Sequence, residues 1–496
     1  VAIRLGLALG VAAGAWGWLT AVALAGDAIA MGSQRELFVD DYLIDRWEGT
    51  RLELKHPTPR EVVFVHDAPW EGNVCAYHTV FQDGDLYRMY YRGGHYDETT
   101  HEMARPEVYC YAESRDGIHW ARPTLGLHEF EGSDRNNIIL TGLGTHNLAP
   151  FKDTNPACLA EQRYKAVAGG RGGLIPFASA DGVRWAPLQS EPVITKGAFD
   201  SLNIAYWDPH RQHYVSYFRD FRDGVRDIKT CTSPDFLNWS EPDWLSYTGA
   251  PTQHLYTNAI TSYFRAPHLQ VGFPKRFRPD RNPTAHRGGG VSDCGFMTSR
   301  DGHHFFRWPE ALVRPGTHPD RWVNRNNLAA WGLVVTQPDV PGGQEELSIY
   351  LTEGYYRGAA VRLRRYTFRM DGFVAVAASP AGGEMVTKPL ILTGDAGPQQ
   401  LHVNFATSAF GSIHCEAQRA DGTPIPGYTL DESTELFGDQ LDAEVTWKTG
   451  GDLSQLADTP FRLRFVMRDA DLYALRFAPA SEAAVAEGSP RTEGER

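Results

Sequence analysis

Three short segments place a carboxylate just ahead of an apolar, strand-like stretch. They are Trp70-Glu71 before Val74–Phe81, Lys152-Asp153 before Ala157–Ala160, and Phe199-Asp200 before Asn203–Trp207. Carboxylates gathered in one cleft suit cleavage of a glycosidic bond, with one protonated as acid and one ionised as base or nucleophile. A third can hold their pKa values apart. The plainer reading is that each carboxylate caps its strand or pairs with an arginine. Asp40-Asp41, within Phe38–Tyr42, is an alternative catalytic pair. Adjacent strand residues face opposite ways, so only one of the two can point into a cleft. The histidines lack H-E-x-x-H spacing and the six cysteines lack C-x-x-C spacing, so no catalytic metal is expected.

The elements that would position these groups declare themselves through a repeat. Ser114-Arg115-Asp116-Gly117-Ile118-His119-Trp120 returns as Ser179–Trp185, Ser233–Trp239 and Ser299–Phe305, with a degenerate fifth copy at Arg369–Phe373. The aspartates are spaced by 65, 54, 66 and 70 residues. In such a turn the Ser and Asp side chains bond the local backbone, and Gly supplies the positive φ. Two alternating strands precede each copy; the nearer ones are Tyr87–Tyr91, Tyr164–Val167, Tyr214–Phe218, Leu269–Phe273 and Leu347–Leu351. Three strands and a turn into a fourth, five times over, predict an all-β fold: a five-bladed β-propeller.

In that fold, inner strands begin and second strands end at one face, around a central funnel. The repeated aspartates then lie at the opposite face as structural groups. Inner-strand entries bring Glu71, Asp153 and Asp200 as the catalytic candidates, with Trp70, His254, Tyr256, Arg325 and Asn326 as binding candidates. Second-strand ends add Arg92, His95, Arg219, Lys275, Arg276 and Glu353. The cations either bind a carboxylate, sulfate or phosphate through forked hydrogen bonds, or neutralise the funnel's own acids.

Residues 60–380 are assigned to the propeller, with 26–59 as a lead-in segment. Residues 385–478 alternate without the repeat and read as a C-terminal β-sandwich, followed by a disordered tail over 479–496. Residues 1–25 read as a signal peptide: Arg4, an apolar run, and Ala23-Leu24-Ala25 with cleavage before Gly26. The same run is long enough to be an uncleaved anchor instead. Cleavage implies a secreted or periplasmic protein with no membrane contact afterwards. A net charge of −13 argues against a nucleic-acid partner.

The blade rhythm with its trailing sandwich resembles the five-bladed glycoside hydrolase propellers, both the invertase and levanase family and the arabinofuranosidase and xylosidase family. The S-x-D-G-x-x-W turns resemble a shortened sialidase Asp-box. The resemblance implies a glycoside hydrolase with a carbohydrate substrate and no cofactor, leaving room for a single structural Ca²⁺ at the propeller axis. By position it carries a base, a pKa-tuning carboxylate and an acid onto Glu71, Asp153 and Asp200. Those enzymes use Asp first and Glu third, so the first and last roles can be exchanged here, and the invertase N-D-P-N-G signature is absent. Three rival readings stand beside it: a non-catalytic carbohydrate-binding propeller, a propeller glycoside phosphorylase, and a uronic-acid lyase with a Tyr/His or Lys base beside an arginine.

Overall fold

The computed structural model describes residues 28–284, 289–338, 340–393 and 399–479. The expected signal peptide and C-terminal tail lie outside the described residues, apart from Pro479. The chain divides into two units: Glu53–Ala375, and a second built from residues up to Leu52 together with those from Val376.

The first unit is a five-bladed propeller of four-stranded antiparallel sheets. Blade 1 runs Ala76–Asp83, Leu86–Gly93, Val108–Ser114, Trp120–Ala121 from the axis outward. Blade 2 runs Ala149–Lys152, Tyr164–Gly170, Gly173–Ser179, Ala186–Pro187, and blade 3 runs Ile204–Asp208, His213–Arg222, Val225–Ser233, Asp243–Trp244. Blade 4 comprises Thr261–Tyr263, Ala266–Gly272, Met297–Ser299 and His304–Arg307. Blade 5 takes three strands from Val334–Thr336, Glu346–Glu353 and Arg362–Arg369, and its outer strand, Thr58–Val65, from the start of the unit. The ring closes where the Trp331 N–H donates to His78 O at 2.9 Å and the Val80 N–H to Trp331 O at 2.8 Å. Gly332 makes that approach feasible: its φ is +114°, and a Cβ there would stand 1.8 Å from Val80 O.

The repeated turn behaves as its residue types require. Asp116 Oδ1 accepts from the N–H groups of Ile118 and His119 at 2.8 Å, and the Gly117 N–H donates to Ser114 Oγ at 2.9 Å. The Trp120 indole then donates to Gly117 O at 3.1 Å. Asp181, Asp235 and Asp301 repeat the aspartate bonds. In the third copy Phe236, fully buried, takes the glycine's place at φ +72°. Register fixes the end of the blade: Ser114 pairs with Tyr87, Ser179 with Tyr164 and Ser233 with Tyr214, at the starts of the second strands. The aspartates therefore lie opposite the face where inner strands begin.

The second unit is a β-sandwich whose longest elements, Gln399–Arg419 and Phe461–Pro479, pair antiparallel along their length. Alternate residues Phe461, Leu463, Phe465 and Met467 bury into one core with Phe405 and Trp447. Residues 26–59, read from the sequence as a lead-in segment, are divided between the units. Ile29–Met31 pairs in parallel with Leu390–Leu392, Glu36–Leu37 pairs with Leu475 and Ala474, and Ile44–Glu48 lies beside Gly383–Thr387. Phe38, Leu43 and Ile44 fill the sandwich core. These partners lie more than 300 residues away in sequence, beyond reach of any local pattern.

Candidate active site

Blade 2 decides what reaches the funnel. Its inner strand is Ala149–Lys152, about eight residues earlier than the sequence pattern suggests; residues 157–160 form a turn running into a short 3-10 helix. Lys152 pairs with Tyr164, the residue opposite Ser179, so Asp153 emerges at the Asp-turn end. It does not join Glu71 or Asp200. There its side chain has no exposed surface, and Oδ2 accepts from Lys165 Nζ at 2.5 Å and Tyr214 OH at 2.7 Å. The residue that enters the funnel from blade 2 is His146.

Glu71 is also sequestered. Its carboxylate is unexposed, receives Arg122 Nε at 2.9 Å and Nη2 at 2.7 Å, accepts the Ala68 N–H at 3.0 Å, and is bonded by Tyr91 OH. Blade 1 presents Tyr77 instead, at a break in strand register and with φ +56°. The catalytic triplet expected from the sequence is therefore corrected to one member, Asp200.

Five inner-strand entries thus deliver Tyr77, His146, Asp200, Tyr256 and Arg325. His146 is the bridge: Nε2 lies 2.9 Å from Asp200 Oδ1 and Nδ1 lies 2.7 Å from Glu107 Oε2. Tyr77 OH donates to Asp200 Oδ1 at 3.3 Å. Arg92 Nη1 stands 3.2 Å from Glu107, and Nη2 donates to Tyr355 OH at 2.8 Å. The hydrogen bond from His146, helped by the Arg325 charge, holds Asp200 well below the usual carboxylate range. Burial opposes a charge on His146, but its bonds to Asp200 and Glu107 outweigh that and raise its pKa. Burial likewise disfavours ionised Glu107, yet the His146 bond and the Arg92 charge keep it ionised below the usual range. With 58% of its side chain exposed, Asp200 is accessible to a ligand. The His146 imidazole fills the space between the Glu107 and Asp200 carboxylates and holds both.

The other half of the funnel is cationic. Lys275 Nζ lies 3.9 Å from the centroid of Tyr256, with the guanidinium carbons of Arg219, Arg226 and Arg325 at 4.7, 5.7 and 5.9 Å. Arg219 donates to Ala198 O, Lys275 to Asn324, and Arg325 to the hydroxyls of Tyr355, Tyr356 and Tyr256. The Nε of Arg226 is buried without a partner. Among the described residues none of these four basic side chains is ion-paired. Burial, then the charges of Arg325, Arg226 and Arg219, drive the Lys275 pKa far down.

The remaining sequence candidates are structural or peripheral. Glu353 is buried against Arg364 at 2.8 Å and Arg321 at 3.5 Å. Arg276 forks onto Asp293 at 2.7 and 2.8 Å. Asn326 braces Val323 and Tyr355 backbone, while the Trp70 indole donates to Asn137 at 2.7 Å. His254 accepts from the Arg226 N–H at 3.2 Å, at the edge of the cation group, and His95 is half-buried beside Gly72 and Arg105. Asp40 and Asp41 occupy a turn of the sandwich unit, where Asp40 accepts from the Tyr42 N–H at 3.1 Å. Sequence reasoning missed Tyr77, Glu107, His146, Arg226, Tyr355 and Tyr356. Thr145-His146 ahead of the apolar Leu148–Phe151 was the readable signal for blade 2.

No family model matches the chain. Two uncharacterised proteins, from two strains of Mycobacterium tuberculosis, are 27% identical over 155 residues, 29% of this chain. The match spans 46% of their length, less than half of the curated relatives it touches. Among solved structures the chain is similar to a glycoside hydrolase at 12% identity, with 63% of this chain and 92% of that one covered and a TM-score of 0.41. It is also similar to an N-acetylgalactosamine deacetylase from F. plautii in complex with blood group B trisaccharide (14%, 64% and 96%, 0.42). A fructofuranosidase from Schwanniomyces occidentalis covers more of the chain (12%, 86% and 96%, 0.34).

Proposed function

We propose that the propeller is an exported glycosidase that cleaves an anionic oligosaccharide or polysaccharide in its funnel. The observation that carries this reading is the group of three guanidiniums, Arg219, Arg226 and Arg325, around Tyr256, none of them ion-paired among the described residues, in a chain of net charge −13. Unpaired charges are costly to desolvate, and an anionic ligand group would repay that through charge-assisted hydrogen bonds. Beside it stand the parts of an acid–base pair. Ionised Asp200 serves as base or nucleophile, and the His146 imidazolium serves as proton donor to the leaving oxygen. Tyr77, whose phenol burial keeps protonated, steadies Asp200 as a hydrogen-bond donor. Partly exposed Phe199 and Tyr356 supply apolar rims for sugar rings.

The test is incubation of the purified chain with a panel of sulfated, uronate-containing and neutral glycans, followed by product analysis. Asp200→Asn should lower the rate on an acidic glycan by about 10²–10⁴-fold. Arg219→Ala with Arg226→Ala should raise KM on that glycan. Activity confined to neutral glycans would overturn the anionic reading, and binding with no cleavage of any glycan would favour a binding propeller. One observation favours a second reading, a lyase: Lys275, 3.9 Å from the Tyr256 ring and with its pKa lowered by burial and the surrounding arginines, is chemically suited to abstract a proton beside a uronate carboxylate. Unsaturated products in the same assay would select it.

A further inference from the structure

The hairpin Lys275–Arg278 with Val291–Cys294 separates the funnel from a second cavity of about 540 Å³. Phe277 belongs to both sides. Its ring lies 6.4 Å from that of Tyr256, 5.1 Å from Lys275 Nζ and 5.2 Å from the Arg226 guanidinium, and it also lines the cavity. The neighbouring wall is the Arg276–Asp293 fork, whose third guanidinium nitrogen donates to Pro309 O at 2.6 Å. That wall is rigid and internally neutral. Trp322, 37% exposed, forms another side. Its indole N–H is committed to Gly316 O at 2.7 Å, so the ring is pinned with its polar edge satisfied. Arg281 and Arg314 stand at the rim, both exposed and neither ion-paired among the described residues.

We propose that this cavity is a distal subsite that holds a further acidic sugar of the same chain whose cleavable unit lies in the funnel. The proposal rests on the anionic-glycan reading of the funnel and deepens it to a polyanionic chain. A fixed indole is a platform for a sugar ring, the exposed guanidiniums of Arg281 and Arg314, which outnumber the one acidic wall residue outside the Arg276–Asp293 fork, Glu310, suit a carboxylate or sulfate, and the volume is that of an ordinary ligand cleft. The shared Phe277 wall makes funnel and cavity neighbouring stations rather than separate sites.

The test measures binding of the full chain to polygalacturonate, alginate and chondroitin sulfate, each beside its own disaccharide. Three proteins are compared: wild type, Arg219→Ala/Arg226→Ala, and Trp322→Ala, with Arg281→Ala/Arg314→Ala as a second groove variant and thermal melts as the folding control. Wild type should bind at least one polymer roughly tenfold more tightly than its disaccharide, because the second contact is intramolecular. Both groove variants should abolish that ratio and leave disaccharide affinity unchanged, whereas the funnel variant should weaken both ligands. An unchanged ratio in the groove variants overturns the subsite while the funnel reading stands. Normal binding by the funnel variant overturns the funnel reading while the groove stands. Binding of none of the three polymers by wild type overturns both.

Discussion

Removing the Asp153 carboxylate should cost the propeller stability while leaving catalysis nearly untouched. The side chain is wholly buried, and its partner Lys165 retains 6% exposure. Asp153→Ala would strand that ammonium against Tyr214 without its counter-charge, a change that costs about 3–5 kcal/mol when one member of a buried pair is lost. For a unit of this size such a loss lowers Tm by roughly 4–7 °C. Urea unfolding at neutral pH, followed by tryptophan fluorescence, reads the loss directly. Asp153→Ala/Lys165→Met should regain about 2 kcal/mol or more relative to the sum of the single changes, because the two sites are coupled. Under native conditions the folded fraction of Asp153→Ala should cleave substrate at nearly the wild-type rate. Asp200→Asn should do the reverse and keep its midpoint while losing turnover. If Asp153→Ala kept wild-type stability and lost activity a hundredfold, the assignment of Ala149–Lys152 as the inner strand, and with it the whole funnel, would be wrong.

Three further outcomes follow from the same geometry. The alkaline limb of kcat/KM should fall above about 6.5, the ordinary histidine value, because His146 must be protonated to donate; His146→Gln should remove that limb. His66 and His78 face each other with Nε2 atoms 2.9 Å apart, and burial lowers both pKa values. The folded state therefore keeps them neutral, while the unfolded chain takes up protons below about pH 6.5. Stability should be full above that point and fall by up to roughly 2–3 kcal/mol per pH unit on acidification; a urea midpoint that stays flat from pH 7 to 5 would refute it. Gly332→Ala should destabilise the closed ring severely, since the new methyl collides with Val80 O. A Tm within a few degrees of wild type would show that the closure tolerates a side chain.

Blade number and the role of the repeated aspartates were legible because both depend on local chemistry. A Ser-x-Asp-Gly turn closes on itself within six residues, and its Trp donates to the turn glycine's carbonyl in the first two copies and to Phe236 O in the third. The funnel was only half legible. Asp200, Tyr256, Arg325, Arg92, Arg219 and Lys275 followed from strand order alone. Glu71 misled because Arg122, 51 residues later, claims it, and no spacing rule announces such a partner. Asp153 misled because Ala149–Lys152, containing a proline and only four residues long, gives a weak strand signal. Arg226 and Tyr356 escaped because their places depend on packing around Tyr256 and Tyr355 rather than on sequence period.

The propeller is inserted into the sandwich, in that the strands before Leu52 wait for partners that begin at Val376. A ribosome must therefore synthesise more than three hundred residues before Ile29–Met31 can find Leu390–Leu392. Until then Phe38, Leu43 and Ile44 have no core to enter. The inner domain meets a shorter version of the same delay, because Thr58–Val65 must be held back until Arg362–Arg369 emerges. Order of synthesis and order of assembly are thus inverted for both chain starts, and high contact order of this kind slows folding and prolongs exposure of unpaired edges. A chain crossing a membrane unfolded, before either closure can occur, would turn that slowness into an advantage.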